Sequence, residues 1–161
     1  MCLMLDACDY HRVFVSSLSG SISVLKETPS PGSPDKFALE VLLPSQKDLG
    51  EIYSMDLDDK YMLTGHTFAS TSIQLWSMEE VEPLKVIREN TSESIVWNLH
   101  LAYPLTLVCR DNEVLDVYDL ETQSCLKSLR HQSKVLNASL FKVYYLCSTF
   151  QSLSSLLTLQ I

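Results

Sequence analysis

Glycine is scarce in this sequence, with only 4 in 161 residues. A phosphate cradle needs closely spaced glycines whose bare backbone can approach the ligand, and so few cannot supply one. Basic residues are also in deficit: 12 Lys and Arg face 20 Asp and Glu, a formal charge of −8. That sign excludes binding by counterion release on nucleic acid and by attraction to anionic membranes. The five cysteines, Cys2, Cys8, Cys109, Cys125 and Cys147, form no C-x-x-C pair, and their number is odd. Neither a zinc site nor a complete disulfide framework fits that spacing. Reduced thiols in the cytoplasm or nucleus are the expectation. The first residues carry no basic segment and meet Asp6 early, unlike a secretory leader. Long apolar runs are missing too. Even residues 135–161, with Lys142 as their only charge, are broken by Asn, Ser, Thr and Gln before the roughly 18 residues a membrane span requires. No membrane insertion is expected, and a set of buried strands accounts for that stretch.

Helical periodicity is absent as well, and what remains is strand periodicity. Short β-rich runs recur between turn residues at 12–17, 21–25, 37–43, 52–57, 61–64, 72–76, 84–87, 95–101, 105–109, 114–118 and 125–129. Several alternate, as in Val114-Leu115-Asp116-Val117-Tyr118, where alternation turns Asp116 outward. Many closely spaced strands with short turns predict an all-β, antiparallel fold. The runs also repeat. Ser72-Ile73-Gln74-Leu75-Trp76 and Val114-Leu115-Asp116-Val117-Tyr118 end 42 residues apart, and another 42 lands on Gln160, just past Leu156-Leu157-Thr158-Leu159. An earlier copy, Ser21-Ile22-Ser23-Val24-Leu25, lies further back because residues 26–36 form an inserted loop. A four-strand unit of about 40–45 residues has the period of a β-propeller blade.

The wording of residues 109–122, with Asp111, Asn112 and the dipeptide Tyr118-Asp119, resembles strand b, the b–c turn and strand c of WD-repeat propellers, with Tyr118-Asp119 in the place of Trp-Asp. Residues 125–131 resemble strand d and the Gly-His that opens the next repeat, with Arg130 replacing Gly before His131. Ser72–Ser77 is similar to a second strand c that keeps Trp76 but has Ser77 for Asp. The resemblance implies antiparallel four-stranded blades at 2–43, 51–88, 94–130 and 135–161, the last incomplete, so that the chain is part of a larger propeller. It also implies a buried His–Ser–Asp–Trp network in each blade. Asp111 and Tyr118 hold two of those places in the third, but residues 88–94 supply no His. In the fourth, His131 holds one place while Gln160 replaces Trp. With no blade complete, Trp76, Asp111, Tyr118 and Asp119 are expected to be structural, because a partial network is costly to bury.

Reactive constellations do not emerge. His11, His66, His100 and His131 are widely separated, with no H-x-H or H-E-x-x-H pairing, so no metal is expected. Asp56-Leu57-Asp58-Asp59 lacks the Gly and distal Glu of a calcium loop and reads as a turn. There is no G-x-S-x-G elbow. Asp56 and Asp116 are poor candidates for the acid–base pair of a propeller hydrolase, the reading from another class. Trp76, Trp97 and Tyr118 read as core aromatics. No catalytic residue and no cofactor are assigned.

Two features suggest interaction. Arg110, Arg130, His131 and Lys134 fall in b–c and d–a connections, which share one face of a propeller; there they would suit an acidic or phosphorylated peptide, since Arg forks match phosphate oxygens. The loop 26–36 holds three of the 6 prolines, and Thr28, Ser30 and Ser33 each precede a proline, as proline-directed phosphorylation requires. The expected function is a non-enzymatic scaffold for other proteins or peptides. The wording of 116–129 is similar to the propellers of F-box ubiquitin-ligase substrate receptors, which implies Skp1–cullin ligase components as partners. A scaffold in signalling or trafficking is the other expectation.

Overall fold

A computed structural model describes residues 4–9, 12–17, 19–27, 37–43, 51–67, 72–79, 83–88, 95–141, 144–149 and 155–158. Thr28, Ser30, Ser33, His11 and Gln160 lie outside the described residues. Every regular element among them is a β-strand. The first sheet holds β1 (Met4–Asp9), β2 (Arg12–Ser16), β3 (Ile22–Glu27) and β4 (Phe37–Leu43). The second holds β5 (Glu51–Leu57), β6 (Tyr61–Thr67), β7 (Ser72–Ser77) and β8 (Pro83–Arg88). The third holds β9 (Val96–Ala102), β10 (Leu105–Arg110), β11 (Val114–Asp119) and β12 (Ser124–Arg130). The fourth holds β13 (Val135–Phe141), β14 (Tyr144–Thr149) and β15 (Ser155–Thr158). Within each sheet, strands neighbour one another in chain order, and all pairing is antiparallel.

The first strands of successive sheets meet in turn, β1 with β5, β5 with β9, and β9 with β13. They line an axis from which the other strands step outward. No comparable contact joins β13 back to β1 among the described residues, so the sheets form an open arc. The antiparallel, blade-like, all-β class expected from the strand periodicity is therefore observed.

Three apolar clusters fill the spaces between neighbouring sheets. Phe14, Ile22 and Val24 pack with Ile52, Met55, Met62 and Trp76 between the first two. Leu63, Ile73 and Leu75 pack with Leu99, Val108, Tyr118 and Leu120 between the second and third. Leu107, Cys109, Leu115 and Val117 pack with Val135 and Ala138 between the third and fourth. Alternating side chains of one strand thus enter two different cores, and β11 is buried through its middle on both faces. Each such Leu, Ile, Val, Phe or Met withdrawn from water contributes about 1.5–3 kcal/mol. Gly65 allows a close approach: a Cβ there would lie 2.6 Å from Ser54 Oγ on the paired β5 and 2.7 Å from Val96 Cγ1 on β9 of the next sheet.

The turns have the chemistry their residues suggest. Asp58 Oδ1 accepts the Lys60 and Tyr61 amides, both at 2.8 Å, closing the β5–β6 hairpin. Asp119 Oδ1 accepts the Glu121 and Thr122 amides at 2.7 and 3.2 Å between β11 and β12. Asp56 does not share that turn role. Its Oδ2 accepts the Leu101 amide at 2.6 Å and lies 3.2 Å from His100 Nδ1, tying β5 to β9.

Two expectations about polar residues are corrected. Asp116 does not face outward; it is 5% exposed. Its position alternates as an outer residue would, but both faces of β11 are covered by neighbouring sheets. Arg110 is not a surface cation. It closes β10 at 3% exposure, and its Nε donates to Asp116 Oδ2 at 2.5 Å. Ser128 Oγ also donates to Asp116, and Arg110 Nη2 donates to Tyr118 Oη at 3.4 Å. The counter-charge makes burial of the guanidinium tolerable.

The second sheet fills the same position with a different pair. Strand register places His66 where the third sheet has Arg110, and Gln74 where it has Asp116. Trp76 Nε1 donates to Thr64 Oγ1 at 2.8 Å, and Thr64 Oγ1 lies 2.8 Å from His66 Nε2. A buried Trp–Thr–His chain therefore exists in the second sheet, with its His on β6 rather than in the connection before β5. Within the third, the Asp111 amide donates to Ile95 O at 3.2 Å, and Asp111 Oδ1 accepts the Ile95 amide at 3.1 Å, pinning the β10–β11 turn to the entry of β9.

Candidate protein-interaction face

One end of the arc, here called the upper end, carries the β10–β11 turn and the segments that enter and leave the third sheet. Besides the Asp111–Ile95 pair, the His131 amide donates to Glu113 O at 2.9 Å, so the turn also holds the start of the 131–134 connection. The inner strands bring a repeated irregularity to this end. Ile52 pairs with His66 and Ser54 with Gly65, leaving Tyr53 as the extra residue of a β-bulge. Arg110 pairs with Val96 and Cys109 with Asn98, leaving Trp97 extra on β9. Val135 pairs with Thr149 and Asn137 with Ser148, leaving Leu136 extra on β13. Three successive inner strands are thus bulged near their starts, and each bulged residue is aromatic or large and apolar. A bulge re-aims the side chain it carries, and these three turn out of the inter-sheet cores.

Trp97 is 39% exposed and Leu136 37% exposed, while Tyr53 is half-buried. The expectation that Trp97 is a core aromatic is therefore corrected: simple alternation places it inside, and the bulge reverses its phase. Trp76 and Tyr118, on the unbulged β7 and β11, are buried. Tyr53 and Trp97 stack with ring centroids 6.4 Å apart and planes at 27°. Lys134 Nζ sits 3.5 Å from the Trp97 ring centroid, a contact of about 0.5–1 kcal/mol at an exposed site.

The basic residues divide accordingly. Lys134 joins the aromatic ridge at the inner end of the connection, and Arg130 is exposed at its outer end, closing β12. His131 is half-buried between them, and desolvation lowers its pKa below the ordinary imidazole value. Arg110 points into the core. Of the predicted cations, Lys134 lies over the indole of a ridge formed by Tyr53, Trp97 and Leu136, and Arg130 stands exposed at the outer end of the connection. Such a surface can hold an extended chain by apolar contact and select for negative charge. The ridge was not singled out from the sequence, although large apolar residues at 53, 97 and 136, each at the start of an inner strand, are its signal.

Acid–base chemistry finds no support at the carboxylates considered for it. Asp56 is committed to the β5–β9 junction, and Asp116 to Arg110 and Ser128. No cluster of three or more His, Cys, Asp or Glu suited to a metal ion occurs among the described residues.

No protein-family model matches the sequence, and neither does any curated protein. Solved structures do match. The WD40 β-propeller domain of Doa1 superposes with a TM-score of 0.70 at 16% identity, over 96% of this chain and 50% of that one. The computationally designed Ika4 protein matches with a TM-score of 0.69 at 13% identity, over 94% of this chain and 88% of that one. The designed Ika8 protein matches at 0.69 and 14% identity, over 96% of this chain and 44% of that one. This chain thus spans half the length of the Doa1 propeller domain that it resembles. Sheets stacked edge-inward around an axis, apolar cores between them and these superpositions together show that the chain has the β-propeller fold.

Proposed function

We propose that the protein is a non-enzymatic interaction scaffold of the cytoplasm or nucleus that binds acidic or phosphorylated peptide segments at the upper end of its arc. The observation that carries this reading is the exposed ridge of Tyr53, Trp97 and Leu136 with Lys134 held over Trp97. A peptide laid along the ridge would bury apolar side chains on it, while Arg130 and Lys134 meet its carboxylates or phosphates. The WD40 likeness supports the reading, since such propellers generally bind other proteins. An array of acidic peptides with and without phosphoserine, probed with the protein and with its Arg130→Ala/Lys134→Ala variant, tests it. Selective retention that the double variant loses is the expected result; equal retention by both proteins counts against it.

Within this reading, the resemblance of residues 116–129 to F-box substrate receptors supports a narrower role as the recognition subunit of a ubiquitin ligase. Copurification of Skp1 and a cullin with the tagged protein from cells tests that role, and their consistent absence removes it. A scaffold in signalling or trafficking then stands in its place.

A further inference from the structure

The lower end of the arc, where β5 turns into β6 and β7 into β8, carries a second surface of opposite character. An open cleft of about 630 Å³ lies between these turns, walled by Tyr61, Met78 and Leu84 and rimmed by Asp59 and Glu79, with Lys60 as the one cation among the described residues that line it. Its walls are braced. The Met78 amide donates to Lys60 O at 2.9 Å, joining the two turns, and the Glu79 amide donates to Ser77 Oγ at 3.2 Å. Tyr61 also stacks on Tyr103 of the third sheet at 4.4 Å, and Tyr103 Oη donates to Glu121 Oε1 at 3.3 Å, extending the aromatic, acid-rimmed surface to the next sheet.

The outer strands repeat the irregularity of the inner ones. Leu75 pairs with Lys85 and Trp76 with Pro83, leaving Leu84 as the extra residue on β8. Val117 pairs with Lys127 and Tyr118 with Cys125, leaving Leu126 extra on β12. The two leucines occupy equivalent positions of adjacent sheets, and they are 46% and 41% exposed. Each bulge takes a leucine that regular pairing would align with the blade and presents it to solvent instead. Beside them the turn acids are Asp59, Glu79 and Glu121.

We propose that this lower rim is a second docking surface, for a basic segment of a partner protein in which leucine-like side chains alternate with arginine or lysine. Its apolar residues would rest on Leu84 and Leu126, and its cations would meet Asp59, Glu79 and Glu121 while lying against the Tyr61 and Tyr103 rings. The inference goes beyond the proposed upper-end function. It makes the protein a bridge, with one end selecting acidic chains and the other basic ones.

Fluorescence anisotropy of a labelled dodecapeptide alternating arginine and leucine tests the proposal, with the counterpart carrying glutamate for arginine as the probe of charge. Leu84, Leu126, Asp59, Glu79 and Glu40 are exposed and Lys134 is half-buried, and circular dichroism confirms that the fold is retained in every variant. Saturable binding of the arginine peptide is expected. Leu84→Ser/Leu126→Ser and Asp59→Lys/Glu79→Lys should each weaken it by about tenfold or more, while Glu40→Lys and Lys134→Ala leave it unchanged. Absence of saturable binding, equal binding of the glutamate peptide, or a smaller loss in either double variant overturns the proposal. Loss in Lys134→Ala would assign the peptide to the upper end instead, overturning this proposal while leaving the upper surface occupied.

Discussion

Replacing Arg110 by methionine keeps the length of the aliphatic stem but removes the guanidinium from a site only 3% exposed. Asp116, itself 5% exposed, then keeps the Ser128 hydroxyl and loses its counter-charge. Stranding one partner of a buried ion pair costs about 3–5 kcal/mol, against a total stability of about 5–15 kcal/mol for an ordinary domain. Asp116→Leu should also be destabilising, because it takes the Asp116 carboxylate away from the buried Arg110 guanidinium. The double variant Arg110→His/Asp116→Gln imports the pair that occupies the same register in the second sheet, His66 and Gln74. It removes the guanidinium and the carboxylate together, so it should lie well above both single variants in stability. Urea unfolding followed by tryptophan emission measures all of these, with the midpoint and slope giving the free energies. A cycle built from Arg110→Met, Asp116→Leu and their combination should show a coupling of about 2–3 kcal/mol. Additive effects, with coupling below about 0.5 kcal/mol, would refute the claim that the two side chains compensate one another inside the protein.

Thr64→Val removes the hydroxyl that accepts from Trp76 and meets His66; a loss of about 1–3 kcal/mol is expected, with a shift in Trp76 emission as the spectroscopic check. Gly65→Ala should cost about 1–3 kcal/mol through overpacking, and Val96→Ala in the same chain should restore part of it, as chemical denaturation will show. His131 has its folded-state pKa lowered by desolvation, so the folded chain binds fewer protons than the unfolded one. Stability is intact above an ordinary imidazole value of about 6.5 and declines as pH falls through the folded value. Melting temperatures between neutral and mildly acidic pH should therefore vary less in His131→Gln than in the parent.

The β architecture was legible because β-rich runs and turn residues alternate at short intervals, and because Trp76 and Tyr118 close similar runs 42 residues apart. These runs are now β7 and β11, the third strands of adjacent sheets. Alternation could not show which face is wet. In a sheet covered on both sides, Asp116 reads as outward from sequence yet meets Arg110 in a core. Bulges were invisible for a related reason: one extra residue reverses the phase of a side chain without leaving a mark in composition. Trp97 therefore read as core, and Leu84, Leu126 and Leu136 drew no notice, although all four are the exposed bulge residues of their strands. His66 was recoverable, since it stands two residues after Thr64 on the strand facing Trp76. The family resemblance places the network's His in the connection between blades instead.

The central claim, that the ridge beside Lys134 receives acidic peptide, is most directly tested by nuclear magnetic resonance of the ¹⁵N-labelled chain titrated with a peptide selected on the array. The Trp97 indole and the backbone amides of 130–136 should shift together and saturate, while the buried Trp76 indole stays in place. Saturable shifts confined to other residues, or none at all with a peptide that binds, would contradict the account.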